Sequence, residues 1–174
     1  MTIRQPSTPL SRLLPPLVLG GAGFSHQVFK NPTSAQALQV LKGAFQLGLR
    51  AIDTSAYYHP SEILLGEALS HPDIACNYTR DQYLLMTKVG RITATQFDYS
   101  SAWVRQSVTR SLERLRTHYL DVVFCHDVEF VPEEEVLRRR RSCWWSSRCA
   151  PRPARPTPRR SASAVTATRR APAT

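Results

Sequence analysis

Three apolar segments in this sequence each end in a side chain that can carry chemistry, and the segments recur at nearly equal intervals. The first ends at Asp53, the second at Lys88 and the third at His126. The intervals are 35 residues (88 − 53) and 38 residues (126 − 88), each about the length of one strand–helix–strand crossover. Parallel strands joined in this way end at the same edge of a sheet. We therefore expect an acid, an amine and an imidazole to meet at that edge, with Tyr58 in the first loop beside them.

Helical periodicity fills the intervals between these segments. The first predicted helix follows a start signal at residues 31–34 and ends at Gly48. The second begins at Pro60 and stops at His71 and Pro72. The third begins at a cap, Ser100 or Ser101, and ends at about Arg116. A further apolar segment at residues 17–20 supplies a first strand, so four strands alternate with three helices. This order predicts an α/β fold with a parallel sheet and right-handed crossovers.

Three glycines, Gly20, Gly21 and Gly23, follow the first strand. Glycine permits turns and a close approach of the backbone that other residues resist. The cluster lacks the third glycine of the dinucleotide-binding fingerprint at the required spacing. We expect a flexible loop at the same edge of the sheet as Asp53.

The formal net charge of +10 is concentrated in one segment. Residues 138–174 contain 11 of the 23 basic residues and no acid, which leaves 12 basic and 13 acidic side chains, a net charge of −1, in residues 1–137. A nearly neutral body does not favour binding to nucleic acid or to a membrane surface. The sequence thus divides into a Pro-rich lead-in at residues 1–16, an α/β body at residues 17–137 and a basic tail.

The tail at residues 138–174 contains no Leu, Ile, Phe, Tyr or Gly, and it cannot bury a core. Its composition predicts disorder. One hypothesis is nuclear localisation or RNA contact through Arg138–Arg141. The other is a shifted reading frame, because Ser161–Thr166 can be encoded as TCGGCATCAGCGGTTACC, and this string read two bases later gives Gly-Ile-Ser-Gly-Tyr.

Compartment and metal content are predicted from the cysteines, the histidines and the hydropathy. The four cysteines have no paired spacing typical of zinc or redox motifs, and Cys125 lies within an apolar strand where a buried thiol is expected. His59, His71 and His118 form no ligand pattern with His126, so no metal is expected. No segment has the length of a membrane span. We expect a reduced, soluble, cytoplasmic protein.

The four residues at the predicted edge resemble the tetrad of the aldo-keto reductase family. The order and spacing of the tetrad are matched by Asp53, Tyr58, Lys88 and His126, and the surrounding motifs agree. These motifs are Ala51-Ile52-Asp53-Thr54-Ser55, Thr87-Lys88-Val89-Gly90 and Leu120-Asp121-Val122-Val123. Two further motifs resemble those of the family branch that oxidises D-arabinose or L-galactose to the lactone with NAD(P). They are Phe97-Asp98-Tyr99-Ser100 and Cys125-His126-Asp127-Val128-Glu129-Phe130-Val131.

The resemblance implies a fold, a mechanism and a cofactor. The fold is the first four strands and three helices of a (β/α)8 barrel, whose active site lies at the carboxyl ends of the strands. Tyr58 exchanges a proton with a sugar oxygen, Lys88 favours the phenolate, Asp53 holds Lys88, and His126 contacts the substrate oxygen. A phenol has an ordinary pKa near ~10, which is why it needs such help. The implied cofactor is NADP or NAD, with Gly21 and Asp53 as candidate contacts.

Each tetrad residue alone also has a structural interpretation. Asp53 suits a turn cap, Tyr58 suits packing, Lys88 suits a strand end at the surface, and His126 suits a buried hydrogen-bonded position. The resemblance ends near residue 137, so the chain as written is expected to be truncated and inactive alone. Two alternatives remain: a non-enzymatic oligomer subunit or regulator, and nucleic-acid contact through the tail. The sequence leaves the sugar, the choice of NAD or NADP and the oligomeric state open.

Overall fold

The computed structural model describes residues 9–132, 134 and 136 of the 174 residues. The helices are α1 (Leu10–Leu13), α2 (Ser34–Gln46), α3 (Ser61–Ser70), α4 (Pro72–Ala75) and α5 (Ser101–Arg114). The strands are β1 (Leu19–Gly20), β2 (Ala51–Asp53), β3 (Leu84–Val89) and β4 (Val122–Cys125). Short 3-10 turns occupy Gly21–Phe24, Arg80–Gln82 and Val128–Phe130. The predicted tail at residues 138–174 lies outside the described residues.

The four strands form one parallel sheet in the order β1-β2-β3-β4. The longer helices α2, α3 and α5 lie between successive strands in the sequence, with α3 and the short α4 sharing one connection. Sequential parallel pairing through helices is the pattern of a (β/α)8 barrel. The predicted fold class, a partial barrel of four strands with three main helices, is confirmed.

Helices α2 and α5 begin at residues whose side chains cap them by hydrogen bonds. The Thr33 hydroxyl accepts from the amide of Gln36 at 3.3 Å, and the Gln36 side chain accepts from the Thr33 amide at 3.0 Å, which forms a capping box at the start of α2. At the start of α5, the Ser100 hydroxyl accepts from the Trp103 amide at 3.3 Å. The predicted starts of both helices are confirmed, and Ser100 is the cap.

The two faces of the sheet have different partners. The main core lies between the sheet and the helices, where Leu41, Phe45, Ile52, Leu65 and Leu85 are almost completely buried. The opposite face carries a smaller cluster, whose members are Ala51, Leu84, Met86, Val122 and Phe124. Leu13 and Leu14, at the end of α1, pack against it. Because side chains alternate along a strand, Asp53 and Lys88 continue this second face beyond Ala51 and Met86. The candidate site therefore lies on the face opposite the helices.

A guanidinium fixes the amino-terminal ends of β3 and β4. Arg80 donates to Asp121 Oδ2 at 2.8 Å and to the Tyr119 carbonyl at 2.9 Å. The same Asp121 oxygen accepts the amide of Leu85 at 2.9 Å. These contacts join the two strands before they begin to pair, which sets the register that delivers Lys88 and His126 to the opposite end.

Several local predictions are wrong in detail. The first strand was expected at residues 17–20 as a buried segment, but Leu17 is 66% exposed and pairing begins only at Leu19. The loop expected at the glycine cluster contains a 3-10 turn at Gly21–Phe24, after which the Ser25 amide and hydroxyl both donate to the Ala22 carbonyl. Cys125 is half-buried, because β4 pairs with a neighbour on one side only in the described part of the chain.

Helices that could cross a membrane were sought in the described residues. Each helix there is too short, or insufficiently apolar, to do so.

Candidate active site

The carboxyl ends of β2 and β3 bring an acid and an amine together. Asp53 is the last residue of β2, and Lys88 lies one residue before the end of β3. Lys88 Nζ donates to Asp53 Oδ2 at 2.5 Å and to the Thr54 carbonyl at 3.1 Å. The two side chains are 26% and 16% exposed, so the pair is shielded from water on most sides but remains reachable. The structure brings these two predicted residues into direct contact.

Tyr58 lies beside this pair in the loop that follows β2. Lys88 Nζ is 4.8 Å from the centre of the Tyr58 ring, a cation–π distance. The loop is held by its own hydrogen bonds, since the Tyr58 amide donates to the Ser55 carbonyl at 3.0 Å and the Ser61 amide donates to the Tyr58 carbonyl at 2.7 Å. The phenol is therefore positioned by a turn that leads directly into α3.

His126 follows β4 and completes the group. Its Nε2 lies 3.4 Å from the Tyr58 hydroxyl, and the two rings meet edge to face with centres 5.4 Å apart. Its Nδ1 lies 3.0 Å from the Ser55 hydroxyl. The imidazole is 6% exposed, and the His126 amide donates to the Val89 carbonyl at 2.9 Å. The geometry thus assembles all four tetrad candidates at one edge of the sheet.

Burial lowers the pKa of His126 below its ordinary value of 6.5. The Asp127 carboxylate opposes this effect, whereas the positive charges of Lys88 and Arg91 reinforce it. A lowered pKa means that the ring is neutral near pH ~7, with one nitrogen as donor and the other as acceptor. In this state His126 can donate a hydrogen bond to a substrate oxygen.

A tyrosine outside the tetrad holds the His126 backbone. The Tyr99 hydroxyl donates to the His126 carbonyl, and Tyr99 is 1% exposed. Space for its ring exists only because residue 90 is glycine: a Cβ there would lie 1.9 Å from Tyr99 Cε1. Gly90 also has φ = +104°, a conformation that residues with side chains rarely adopt. The turn after β3 and the ring of Tyr99 thus position His126 together.

A cation and two rings border the site on the side of β4. Arg91 is ion-paired with Asp127, and its guanidinium lies 4.2 Å from the centre of the Tyr57 ring and 5.8 Å from that of Phe97. The Tyr57 ring in turn meets His126 edge to face at 5.8 Å. This border places aromatic faces and a guanidinium beside His126.

Two features adjoin the site at β1. Asp53 Oδ1 is buried and has no hydrogen-bond partner among the described residues. Gly21 lies against the backbone of the same residue, where a Cβ would come within 2.9 Å of the Asp53 carbonyl oxygen and of the Thr54 side chain. The Gly21 carbonyl accepts from the Ser61 hydroxyl at 2.8 Å. A glycine is therefore required at this close approach. Separately, the unpartnered Asp53 Oδ1 can accept a hydrogen bond from a hydroxyl donor.

Several residues of the site were not assigned a role from the sequence. Ser55 stands two residues after Asp53 and so belongs to the same loop, but the sequence gives no partner for its hydroxyl. Tyr99 and Asp127 lie in the two motifs that resemble the sugar-oxidising branch, but those motifs do not give their contacts. The contact of Tyr99 with His126 spans 27 positions, and that of Arg91 with Asp127 spans 36. Three-dimensional placement was needed to find them.

A parallel sheet with an Asp–Lys pair, a phenol and an imidazole at its carboxyl edge is an oxidoreductase-like arrangement within a strand–helix barrel. The model of the Aldo/keto reductase family matches residues 16–139. The chain belongs to this family.

Individual relatives agree with this assignment. The D-arabinose 1-dehydrogenase of Saccharomyces cerevisiae is 52% identical over 122 residues, which is 70% of this chain and 36% of that protein. The L-galactose dehydrogenase of Arabidopsis thaliana is 37% identical over 119 residues, which is 67% of this chain and 36% of that protein. This chain therefore spans about a third of the length of these relatives. The branch predicted from the sequence is confirmed as a resemblance.

A solved structure gives the same result for the fold. A putative aldo-keto reductase from Pseudomonas aeruginosa superimposes with a TM-score of 0.55 at 32% identity, covering 72% of this chain and 49% of that one. The four described strands thus correspond to part of a longer aldo-keto reductase chain.

Proposed function

We propose that this chain carries the proton-transfer residues of an NAD(P)-dependent sugar dehydrogenase, which moves a hydride between nicotinamide and the C1 of an aldose. The observation that supports this proposal is the convergence of Tyr58, Lys88, Asp53 and His126 at the carboxyl edge of the sheet. Both similar relatives named above are sugar dehydrogenases. The small-molecule substrate is accordingly an aldose, or a carbonyl compound in the reverse direction.

The residues near β1 fit a nicotinamide nucleotide. Asp53 Oδ1 is a buried acceptor with no partner among the described residues, and the hydroxyls of a ribose are donors of the required type. Gly21 allows the first loop to approach Asp53 closely. We propose Gly21 and Asp53 as cofactor contacts and leave NAD and NADP as equal candidates. When bound, the nicotinamide supplies the carbon that accepts or returns the hydride.

Proton transfer is the task of Tyr58. In sugar oxidation, the C1 hydroxyl would give its proton to the Tyr58 phenolate, the C1–H bond would break with the hydrogen lost as hydride, and the C1–O bond would become the lactone carbonyl. In carbonyl reduction, the phenol returns the proton to the oxygen. The ammonium 4.8 Å from the ring stabilises the phenolate through its charge, and Asp53 holds that ammonium in position. Lys88 and Asp53 therefore act through Tyr58.

His126 orients the reacting oxygen. Its Nε2 is 3.4 Å from the Tyr58 hydroxyl, so an oxygen bound next to the phenol is also within reach of the imidazole. A neutral ring donates one hydrogen bond without adding a second positive charge beside Lys88. Residues Tyr57 and Arg91 border the position where the remainder of a sugar would lie.

The isolated chain is proposed to be inactive. In the described part of the chain, β1 and β4 each pair with a neighbour on one side only, so each presents an unpaired edge. Such edges invite association with other chains. We propose the cytoplasm as the compartment, supported by the free thiol of Cys76 in the described residues.

The test uses a chimera: residues 1–137 of this chain followed by the part of the Saccharomyces relative that lies beyond its matched segment. We expect the chimera to reduce NAD or NADP with D-arabinose or L-galactose, and residues 1–174 alone not to do so. Tyr58→Phe should lower kcat of the chimera by roughly 10²–10⁴. Tyr78→Phe is the matched control, because Tyr78 packs against Phe45 in the core. Equal activity of the Tyr58→Phe chimera and the unmodified chimera would refute the assignment.

A second candidate function rests on the same unpaired edges. A non-enzymatic role as an oligomer subunit requires a defined assembly. Sedimentation of residues 1–174 as one folded species of fixed stoichiometry would support it, whereas a broad distribution of aggregates would count against it.

A further inference from the structure

The Ser55 hydroxyl occupies a position from which it can select one tautomer of His126. Ser55 is 1% exposed and lies in the turn between Asp53 and Tyr58. Its Oγ accepts the Tyr57 amide at 3.1 Å and lies 3.0 Å from His126 Nδ1. Within the described residues, no other group is available to take its hydroxyl hydrogen. That hydrogen must therefore point to Nδ1, which makes Nδ1 an acceptor.

We propose that Ser55 is a positioning residue that holds neutral His126 with its proton on Nε2. A neutral imidazole has one N–H, so an Nδ1 that accepts from Ser55 leaves the hydrogen on Nε2. Nε2 is the nitrogen 3.4 Å from the Tyr58 hydroxyl. The serine thereby determines that His126 is a donor towards the reacting oxygen and not an acceptor.

A second contact favours the same tautomer independently. Asp127 Oδ1 lies 3.6 Å from His126 Nε2, and a carboxylate on that side attracts a proton to Nε2. Asp127 itself is held by Arg91 and has φ = +54°, an uncommon conformation outside glycine. The ring thus has a hydroxyl donor on one nitrogen and an anionic acceptor near the other.

The consequence for catalysis rests on the proposed function. With the hydrogen on Nε2, His126 can donate its one hydrogen bond to a sugar oxygen bound beside the Tyr58 hydroxyl. With the hydrogen on Nδ1, it would compete for the proton that Tyr58 must accept. Ser55 also joins the two halves of the site, because its carbonyl accepts the Tyr58 amide at 3.0 Å.

The tautomer can be measured without any enzymatic activity. We would record long-range ¹H–¹⁵N correlation spectra of the histidine-labelled chain of residues 1–174 above the pKa of His126. Sedimented protein under magic-angle spinning can be used, so association does not interfere. The His126→Asn variant identifies the signals. We expect Nδ1 of His126 to resonate as an unprotonated nitrogen and Nε2 as a protonated one, and the opposite assignment would overturn the proposal.

Variants then test whether Ser55 is responsible. Ser55→Ala should give a mixture of the two tautomers, and Ser55→Thr, which keeps the hydroxyl, should restore the single form. Ser61→Ala is the matched control, since Ser61 is equally buried but bonds to Gly21 and Thr54. An unchanged tautomer of His126 in Ser55→Ala would refute the role of Ser55 as a positioning residue. If Ser55→Ala does not fold, the tautomer of the wild-type chain is the deciding measurement, and a proton on Nδ1 of His126 would overturn the proposal.

Failure of this inference and failure of the proposed function have different signatures. An Nε2–H tautomer in the wild-type chain together with an inactive chimera would refute the enzymatic proposal alone. An active chimera whose His126 carries its proton on Nδ1 would refute the role of Ser55 alone.

Discussion

Lys88 Nζ lies 2.5 Å from Asp53 Oδ2, although the two residues belong to different strands and are 35 positions apart in the sequence. The same ammonium lies 4.8 Å from the centre of the Tyr58 ring. One cation therefore has a fixed anionic partner and an aromatic neighbour at the same time. Its charge is partly compensated by the carboxylate, and its position is set by the ends of β2 and β3.

Replacing this cation should affect catalysis more than folding. In the chimera, Lys88→Met is expected to lower kcat by roughly 10² or more, because the phenolate of Tyr58 loses its stabilising charge. Steady-state kinetics with D-arabinose measures the change. Melting temperatures of the two chimeras show whether the loss reflects unfolding.

A second Lys–Asp pair of the same length serves as the control for this prediction. Lys42 Nζ and Asp73 Oδ2 are also 2.5 Å apart, but these side chains are 35% and 43% exposed and lie on the helices. Lys42→Met should leave kcat within about twofold, since exposed pairs contribute little. Equal losses in Lys42→Met and Lys88→Met would contradict a specific role for Lys88.

A buried acid behind the sheet should be essential for stability. Glu62 is 2% exposed, accepts the Thr87 hydroxyl at 2.8 Å and pairs with Arg114 at 3.3 Å. Glu62→Ala leaves both partners without their acceptor, so we expect a loss of about 3 kcal/mol in the free energy of unfolding. Urea denaturation with the tryptophan signal measures this loss.

The neighbouring acid on α3 provides the comparison. Glu67 lies 3.6 Å from Arg116, and the two side chains are 37% and 53% exposed. Glu67→Ala should cost less than about 1 kcal/mol, because solvent screens an exposed pair. Similar midpoints for the two variants would show that burial of the Glu62 pair has no consequence for folding.

Much of the fold and the tetrad could be predicted from the sequence because the information is local. Each strand contains an apolar run, and helices α2 and α5 begin at side-chain caps. Side-chain alternation then decides that Asp53 and Lys88 share a face. The extent of β1 could not be predicted in this way. Leu17 is apolar, yet it is exposed because nothing in the described part of the chain covers it.

The supporting contacts of the site were beyond sequence reasoning for a different reason. The bond from Tyr99 to the His126 carbonyl depends on a left-handed turn at Gly90 and on the crossing of two loops. The pairing of Ser55 with His126 joins residues 71 positions apart. Such contacts depend on the distances between strand ends, which periodicity does not contain.

Acidification should destabilise the folded chain through His126. Burial lowers the pKa of His126 below 6.5 in the folded state, so below pH ~6.5 the unfolded chain binds a proton that the folded chain does not. The contribution of His126 to the free energy of unfolding is fully present above this pH. It decreases as the pH falls, by at most about 1.4 kcal/mol per pH unit for one group. Urea titrations at several pH values measure the slope.

A second histidine must be separated from this effect. Slight desolvation by neighbouring atoms, with the charge of Arg114 and of His26, also lowers the pKa of His59, which contributes in the same direction. His126→Gln should reduce the pH slope, and His59→Gln should remove the smaller remainder, because His59 is exposed. An unchanged slope in His126→Gln would mean that the imidazole is equally easy to protonate in both states.

Two glycine substitutions should change stability in opposite directions. Gly90→Ala places a Cβ 1.9 Å from Tyr99 Cε1 at φ = +104°, and we expect a loss of about 3 kcal/mol from strain and overpacking. Gly43→Ala lies within α2, where a Cβ has no neighbour within 4 Å, and it should gain about 0.5–1 kcal/mol from helix propensity. Urea midpoints of both variants test the pair. A tolerated Gly90→Ala would mean that Tyr99 does not occupy this position, and the His126 carbonyl would then lack its donor.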